Sequence, residues 1–550
     1  MVTHSKDRKG LRPIVLLFIT LMGCLLLVGS NGKDARAEQG TLTLASSQGD
    51  SSTYDAYQVF AADVDVDGVA TNVTWATDEM RDLVLPYLDD QGYGDWLAQN
   101  HPGDGQREMA QNAAEYISAT IGSPSAAQDE TTPSQASNAS FSNGLAKTLA
   151  ASSAMQPQHV VAGEAFAAEQ GLWLLVSSGA NDKDSAGTAP IWIPVTEEPT
   201  QIADKSSLPT IDKQVREDSD GSWGRLADAN RGQNLEFNLT GTLPENFGSY
   251  SHYHYRIVDH FSEGIEPAIV SQSGLADAIK ITIDGTLAKP DGSNLILSYD
   301  QGTLSIEFPD LLSDYWEAYG INAQSAICVR YQAHLTQAAR IGAEGNPNEA
   351  YLVYTSDPVN ERDGQTNTVV NKVFGYALEL QKKGTDGETN LKGARFSLKS
   401  QDEDLYVQQD GSLGSDPYDF VTGDDGRVRI PCLDEGTYTL KENEAPDGYS
   451  TLTNDLVLTI TSELDASDLA VKRIESELTG NQAQVESIDA TSGQIEISVT
   501  DEPLGTGIER LAQTGGGPVA AVLGGGGLGI LLLSHAREAT SHKKRYRRRR

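Results

Sequence analysis

The sequence predicts a mainly β protein: tandem immunoglobulin-like β-sandwich domains behind a mixed α+β N-terminal domain. Three observations carry this. Short stretches of alternating apolar and polar residues recur from about 206 to 503, separated by Gly, Asn, Asp and Pro turns. Before them, strand-like and helix-like patterns are mixed. The length, 550 residues, accommodates about three domains of ordinary size.

Residues 1–37 have the form of a secretion signal. The basic "KDRKGLR" precedes the apolar "PIVLLFITLMGCLLLVGS", and "ARAEQ" offers small residues around a cut after Ala37. A retained membrane anchor and a lipoprotein acylated at Cys24 are the rival readings, but Met22 makes "LMGC" a poor acylation motif.

Residues 38–205 form the mixed domain. "TLTLASS" and "YDAYQVFAADVDVDGVATNVTW" alternate like strands around a "DG" turn, and a helical stretch follows over about 76–120. The low-complexity 122–140 predicts a loop, after which "GLWLLVSS" and "APIWIPVT" return to strand. Residues 206–362 and 372–503 are the two sandwiches, with strands such as "HYHYRIVD" and "AIKITIDG" in one and "GTYTLKE" and "QIEISVTD" in the other. Residues 511–550 are a separate C-terminal segment.

The chain has 41 Lys+Arg against 78 Asp+Glu. Its ends are basic, so residues 38–514 carry 27 basic against 75 acidic side chains, a net charge of −48. Such a body repels nucleic acid and excludes it as a partner. Of the three cysteines, only Cys328 and Cys432 lie in this body. That is no disulfide framework, so an extracellular protein of this kind needs another stiffening device.

Alternate residues of a strand share a face. In "ALELQKK", Leu378, Leu380 and Lys382 point one way. In "GTYTLKE", Tyr438, Leu440 and Glu442 do, and in "QIEISVTD", Ile495, Ile497, Val499 and Asp501 do. A single charge ending an apolar face can reach water by fraying. Three in one domain favour a buried Lys–Glu–Asp constellation. The preceding domain repeats the pattern, with Ile211, Lys213 and Val215 on one face, Tyr253, Tyr255, Ile257 and Asp259 on another, and Asn348, Ala350, Leu352 and Tyr354 on a third.

Burial disfavours an ammonium and favours a neutral, nucleophilic amine; it likewise favours a protonated carboxylic acid, able to polarise a neighbouring carbonyl. The product is an amide between side chains, with loss of ammonia from Asn or water from Asp. Like a disulfide it restricts the unfolded chain, but no reductant breaks it. The expected bond joins the first strand of each domain to the last.

Over 206–503 the chain resembles sortase-assembled major pilins of Gram-positive bacteria. "LKGARFSL … GRVRIPCLDEGTYTLKENEAPDGYS" is similar to the collagen-adhesin B-type Ig-like domain, and "YTLKENEAPDGY" to the pilin E-box. "LPTIDKQVREDSDGSWGRLADANRGQNLEFNLTGTLP … YRIVDHFSEGI … NPNEAYLVY" resembles the fimbrial isopeptide-forming domain. The resemblance implies Lys213 as amine donor, Asp259 as catalytic acid and Asn348 as acceptor, and in the last domain Lys382, Glu442 and Asp501 in those roles. Lys383 competes with Lys382, but strand parity favours Lys382.

The C-terminal segment resembles a cell-wall sorting signal. It begins with Leu511, Ala512, Gln513, Thr514 and Gly515, continues in the apolar 518–533 and ends in "KKRYRRRR". The apolar run is barely long enough to span a membrane, and the arginines hold the end on the cytoplasmic side. The resemblance implies a transpeptidase cut between Thr514 and Gly515. Ala512 stands where the family usually has Pro, which leaves the sortase class open. The resemblance also implies an acceptor lysine at the junction of the first two domains. Lys205 has the spacing, in "IADKSS" rather than the family's "YPKN"-like flank. A solvated linker lysine is the alternative.

The expected protein is therefore a secreted, peptidoglycan-anchored pilus shaft subunit. Its partners are a sortase, further copies of itself and the wall. A non-polymerising adhesin or minor pilin is the alternative. No cofactor, metal or turnover chemistry is expected: the two triads act once, on themselves. "DVDVDG" (63–68) reads as a hairpin turn, since Thr74 stands where a calcium loop needs Glu. His252, His254 and His260 share a parity opposite the apolar face and read as outward strand positions.

Overall fold

The computed structural model describes residues 39–45, 53–66, 68–103, 105–121, 134–178, 189–203, 208–269 and 274–504. The signal segment 1–37, Lys205 and the sorting signal 511–550 lie outside the described residues. So does the apolar run 518–533. Among the described residues no helix is long and apolar enough to cross a membrane.

The N-terminal domain is mixed, as expected. A five-stranded sheet runs Ala70–Trp75, Thr53–Val64, Gly171–Ser177, Ile191–Val195, with Gln158–Val161 also on Thr53–Val64. A second sheet centres on Gln39–Ala45, between antiparallel Ala165–Glu169 and parallel Thr200–Ala203. The helical stretch is three helices, Asp78–Asp90, Tyr93–Asn100 and Ala110–Ile121. The first begins where the Thr77 hydroxyl accepts from the Met80 amide at 3.1 Å, with Asp78 and Glu79 facing the positive end of the helix dipole. Met80, Val84, Leu85 and Leu88 recur at helical spacing and form its buried stripe.

One expectation needs correcting. The end of the presumed 122–140 loop is helical, because Ser134–Ala151 forms a fourth helix. It packs on the first through Gly144, where an added Cβ would lie 2.6 Å from the Tyr87 hydroxyl. Phe141, Leu145, Ala146 and Leu149 bury against the same core, which Val359 of the next domain also joins.

The second domain is a sandwich of two seven-stranded sheets. One orders Trp223–Gly224, Ile211–Arg216, Leu235–Thr242, Ala326–Leu335, Lys280–Ile283 and Thr286–Ala288, with Ile265–Pro267 on Ala326–Leu335. The other orders Leu226–Asp228, Val369–Phe374, Asn346–Asp357, Tyr255–Phe261, Thr303–Phe308 and Ile296–Asp300, with Arg362–Gln365 on Asn346–Asp357. Chain beyond the expected limit at 362 thus belongs to this sandwich, through Phe374. The inward faces meet in one core that includes Phe237, Tyr255, Ile257, Val329 and Leu352.

The third domain opens with Tyr376–Gly384 and closes with Gln494–Asp501, parallel neighbours in a four-stranded sheet flanked by Arg427–Leu433 and Ala483–Asp489. The facing sheet contains Arg395–Ser400, Gly436–Glu444, Leu456–Asp465 and Ala470–Thr479. Leu378, Leu380, Leu440, Ile495 and Ile497 fill the space between. Cys328 and Cys432 are free thiols.

Candidate functional site

Strand parity places a polar cluster inside each sandwich. In the second domain, the pattern of Ile211–Arg216 turns Ile211, Lys213 and Val215 inward, leaving Lys213 1% exposed. Asp259 and Asn348 lie on adjacent strands of the facing sheet, where Asp259 pairs with Ala350 and Phe261 with Asn348; both polar side chains are fully buried.

The Lys213 amine donates to Asp259 Oδ1 and lies 3.1 Å from the Tyr331 hydroxyl. That hydroxyl donates to Asp259 Oδ2 at 2.5 Å and accepts from Asn348 Nδ2 at 2.9 Å. Tyr331 therefore joins donor, acid and acceptor into one network. Asn348 Oδ1 receives no hydrogen bond.

The amine sits among three rings, with its nitrogen 5.7 Å from the centres of Phe237 and Tyr331 and 5.8 Å from that of Phe261. This desolvation pulls the Lys213 amine down to about 8, with Asp259 acting in the opposite direction. Burial and then Asp259 push the Tyr331 phenol well up, keeping it a proton donor.

In the third domain, Lys382, Glu442 and Asp501 meet inside the sandwich. Lys382 pairs with Val499 and Gly384 with Asp501 on the parallel strands. Lys382 Nζ is 2.5 Å from Asp501 Oδ1 and 3.0 Å from Glu442 Oε1, across from the Phe396 ring. Glu442 reaches from the facing sheet, and its Oε2 accepts from the Leu452 amide at 2.8 Å. Desolvation pushes the Glu442 carboxyl up against the pull of Lys382, and desolvation pushes that of Asp501 up as well. The competing Lys383 faces away and is only half-buried.

The structure brings together all six residues that strand parity selects, with one topological difference. Lys382 and Asp501 do sit on the first and last strands of their domain. Asn348 does not, because two further strands follow its own. Tyr331 is the residue that sequence reasoning missed. The alternation of "AICVRYQAHL" buries Ile327, Val329, Tyr331, Ala333 and Leu335, so a hydroxyl on an apolar face was the available signal. The three histidines do not converge: His252 pairs with Asp310, His254 with Asp363 and Glu307, and His260 with Thr303.

Residues 376–473 match the family described as SpaA, prealbumin-like fold domain. The "Trypsin-resistant surface T6 protein" of Streptococcus pyogenes serotype M6 is 24% identical over 316 residues, 52% of this chain and 53% of that protein. The chain thus spans about half the length of this curated relative. The solved T6 backbone pilin of S. pyogenes serotype M6 shares the fold, with a TM-score of 0.52 and 15% identity over 86% of this chain and all of that one. The major pilin SpaD of Corynebacterium diphtheriae aligns at a TM-score of 0.44 and 13% identity over 86% of this chain and 99% of that one.

Proposed function

We propose that this chain is the structural shaft subunit of a covalent Gram-positive pilus. Each sandwich is stiffened by a self-formed amide, Lys213–Asn348 in one and Lys382–Asp501 in the other. The observation that carries this reading is the pair of buried lysine–carboxylic acid–acyl acceptor sets in adjacent sandwiches of a chain with a backbone-pilin fold. An ordinary core gains nothing from two buried lysines. A self-crosslinking one consumes them.

Moving one proton from the Lys213 ammonium to Asp259 leaves the net charge unchanged and removes two buried charges. The free amine then attacks Asn348 Cγ while acid donors polarise Oδ1, an oxygen that is otherwise without a hydrogen bond. Tyr331 relays or holds the proton between Asp259 and the amide. The C–N bond to Lys213 forms, the bond to the amide nitrogen breaks, and the amine proton leaves with ammonia. In the third domain Glu442 donates to Asp501, Lys382 attacks Cγ, and water leaves. Fixed proximity supplies much of the acceleration.

In this reading a sortase cuts after Thr514 and joins it to Lys205 of the next subunit, and finally to peptidoglycan. The order of tag, apolar run and basic tail in the sequence supports it. The test is an immunoblot of wall extract boiled in detergent. A ladder of high-mass species, lost in Lys205→Ala, is expected. A single monomer-sized wall species would overturn polymerisation and favour the non-polymerising adhesin.

A further inference from the structure

The second and third sandwiches meet at a cluster of carboxylates that neither triad uses. Glu217 follows strand Ile211–Arg216, Asp228 ends strand Leu226–Asp228, and Asp434 and Glu435 form the turn before strand Gly436–Glu444. One ligand oxygen each from Glu217, Asp228 and Glu435 lies within 4.8 Å of the others. Oxygens bound to one calcium-sized ion at roughly 2.3–2.6 Å are at most about 5 Å apart, so a single ion can reach all three.

Two further observations point to a ligand. Asp228 is 1% exposed. Its Oδ2 accepts from the Tyr376 hydroxyl at 2.6 Å and the Ser462 hydroxyl at 2.8 Å, yet its Oδ1 receives nothing. Asp434 is 4% exposed and faces Asp228, and its Oδ1 is likewise without a hydrogen bond. Among the described residues none of Glu217, Asp218, Asp228, Asp434 and Glu435 takes part in an ion pair. The charged groups acting most strongly on Glu217, Asp228 and Asp434 are other carboxylates. Packed carboxylates with no basic neighbour must share protons or hold a cation.

We propose that this junction binds one divalent cation of the calcium class, held by Glu217, Asp228 and Glu435 with Asp434 beside them, and that the ion clamps the second sandwich to the third. The donor set is all oxygen, with neither His nor Cys, which suits a hard cation rather than zinc or copper. Glu217 and Asp228 come from the second domain and Glu435 from the third, so one ion bridges the two. Direct contacts already hold these domains in register, among them Tyr376 with Asp228, Tyr438 with Asn230 at 3.4 Å and a parallel bridge between Arg231 and Ser412. The ion neutralises what those contacts leave charged.

Terbium(III) is a probe with calcium-like coordination, and Tyr376, bonded to Asp228, is placed to sensitise its emission. The purified chain should bind one terbium per molecule under tyrosine excitation. Calcium should displace it, and Asp228→Asn should weaken binding at least tenfold. Calcium should also raise the unfolding temperature relative to chelator, and this shift should vanish in Asp228→Asn. Asp434→Asn serves as a second variant, and the intact-mass crosslink signature verifies that both fold. Equal terbium emission from Asp228→Asn would overturn the proposal. So would stability that responds to pH but not to calcium, which would assign the neutralising role to protons.

Discussion

At the residue scale, the account rests on what burial does to a lysine. Desolvation inside the sandwich pulls the Lys213 amine down from its ordinary 10.5 to about 8, against the opposing effect of Asp259. The reactive state is the neutral amine beside a protonated Asp259, which holds as many protons as the ion pair, so its share stays constant until the shared proton is lost near pH 8. In freshly synthesised chain, followed by intact mass, ammonia loss should therefore keep a steady rate from pH 6 to 8 and slow above. A rate that keeps climbing above pH 8 would argue against an acid at Asp259. Tyr331→Phe removes the hydroxyl that links Lys213, Asp259 and Asn348. It should slow bond formation on the order of tenfold to a hundredfold while the bond still forms. Asp501→Asn presents the acceptor chemistry of the second domain to Lys382. It should yield a crosslinked protein identical in mass to crosslinked wild type, since both acceptors end as the same amide. The residues were legible for a simple reason: a charge at an inward position of an apolar strand contradicts its own face. Tyr331 was harder to see because a tyrosine fits an apolar face without contradiction.

At the element scale, the two proposed bonds would do different mechanical work. Lys382 and Asp501 lie on parallel neighbours, the first and last strands of their domain, so a bond between them would close a loop of 119 residues. Lys213 and Asn348 lie on facing sheets, so a bond between them would staple the sandwich through its core. Closing a loop of this length removes roughly 4–5 kcal/mol of unfolded-state entropy. Glu442→Gln keeps the cavity filled but removes the acid. The third domain should remain folded, lose its crosslink, and become less stable in chemical denaturation by up to about that amount. Unchanged stability would remove the crosslink from the account. Strand periodicity and turn residues made most of the elements readable. The sequence hides the helix at the end of 122–140 because its Ser and Asn are weaker helix formers than its Ala, and tertiary contacts such as Gly144 on Tyr87 decide. The short strands Arg362–Gln365 and Val369–Phe374 carry too little pattern to announce that the second domain runs past 362.

At the scale of the whole molecule, two sandwiches share a closely packed junction behind a helix-decorated N-terminal domain. The junction cluster was beyond the reach of sequence reading. Glu217 and Asp228 are separated from Glu435 by about two hundred residues, and acidic residues are so frequent here that none stands out. The triads were readable because each member breaks the pattern of its own strand, whereas the junction carboxylates sit at strand ends and turns, where charges are ordinary. The most direct test of the account is the intact mass of the puried ectodomain. Two amide bonds, one made with loss of ammonia and one with loss of water, make it about 35 Da lighter than its sequence. Asp259→Ala and Glu442→Ala should each restore one of the two losses. A wild-type mass equal to the sequence mass would contradict the central claim.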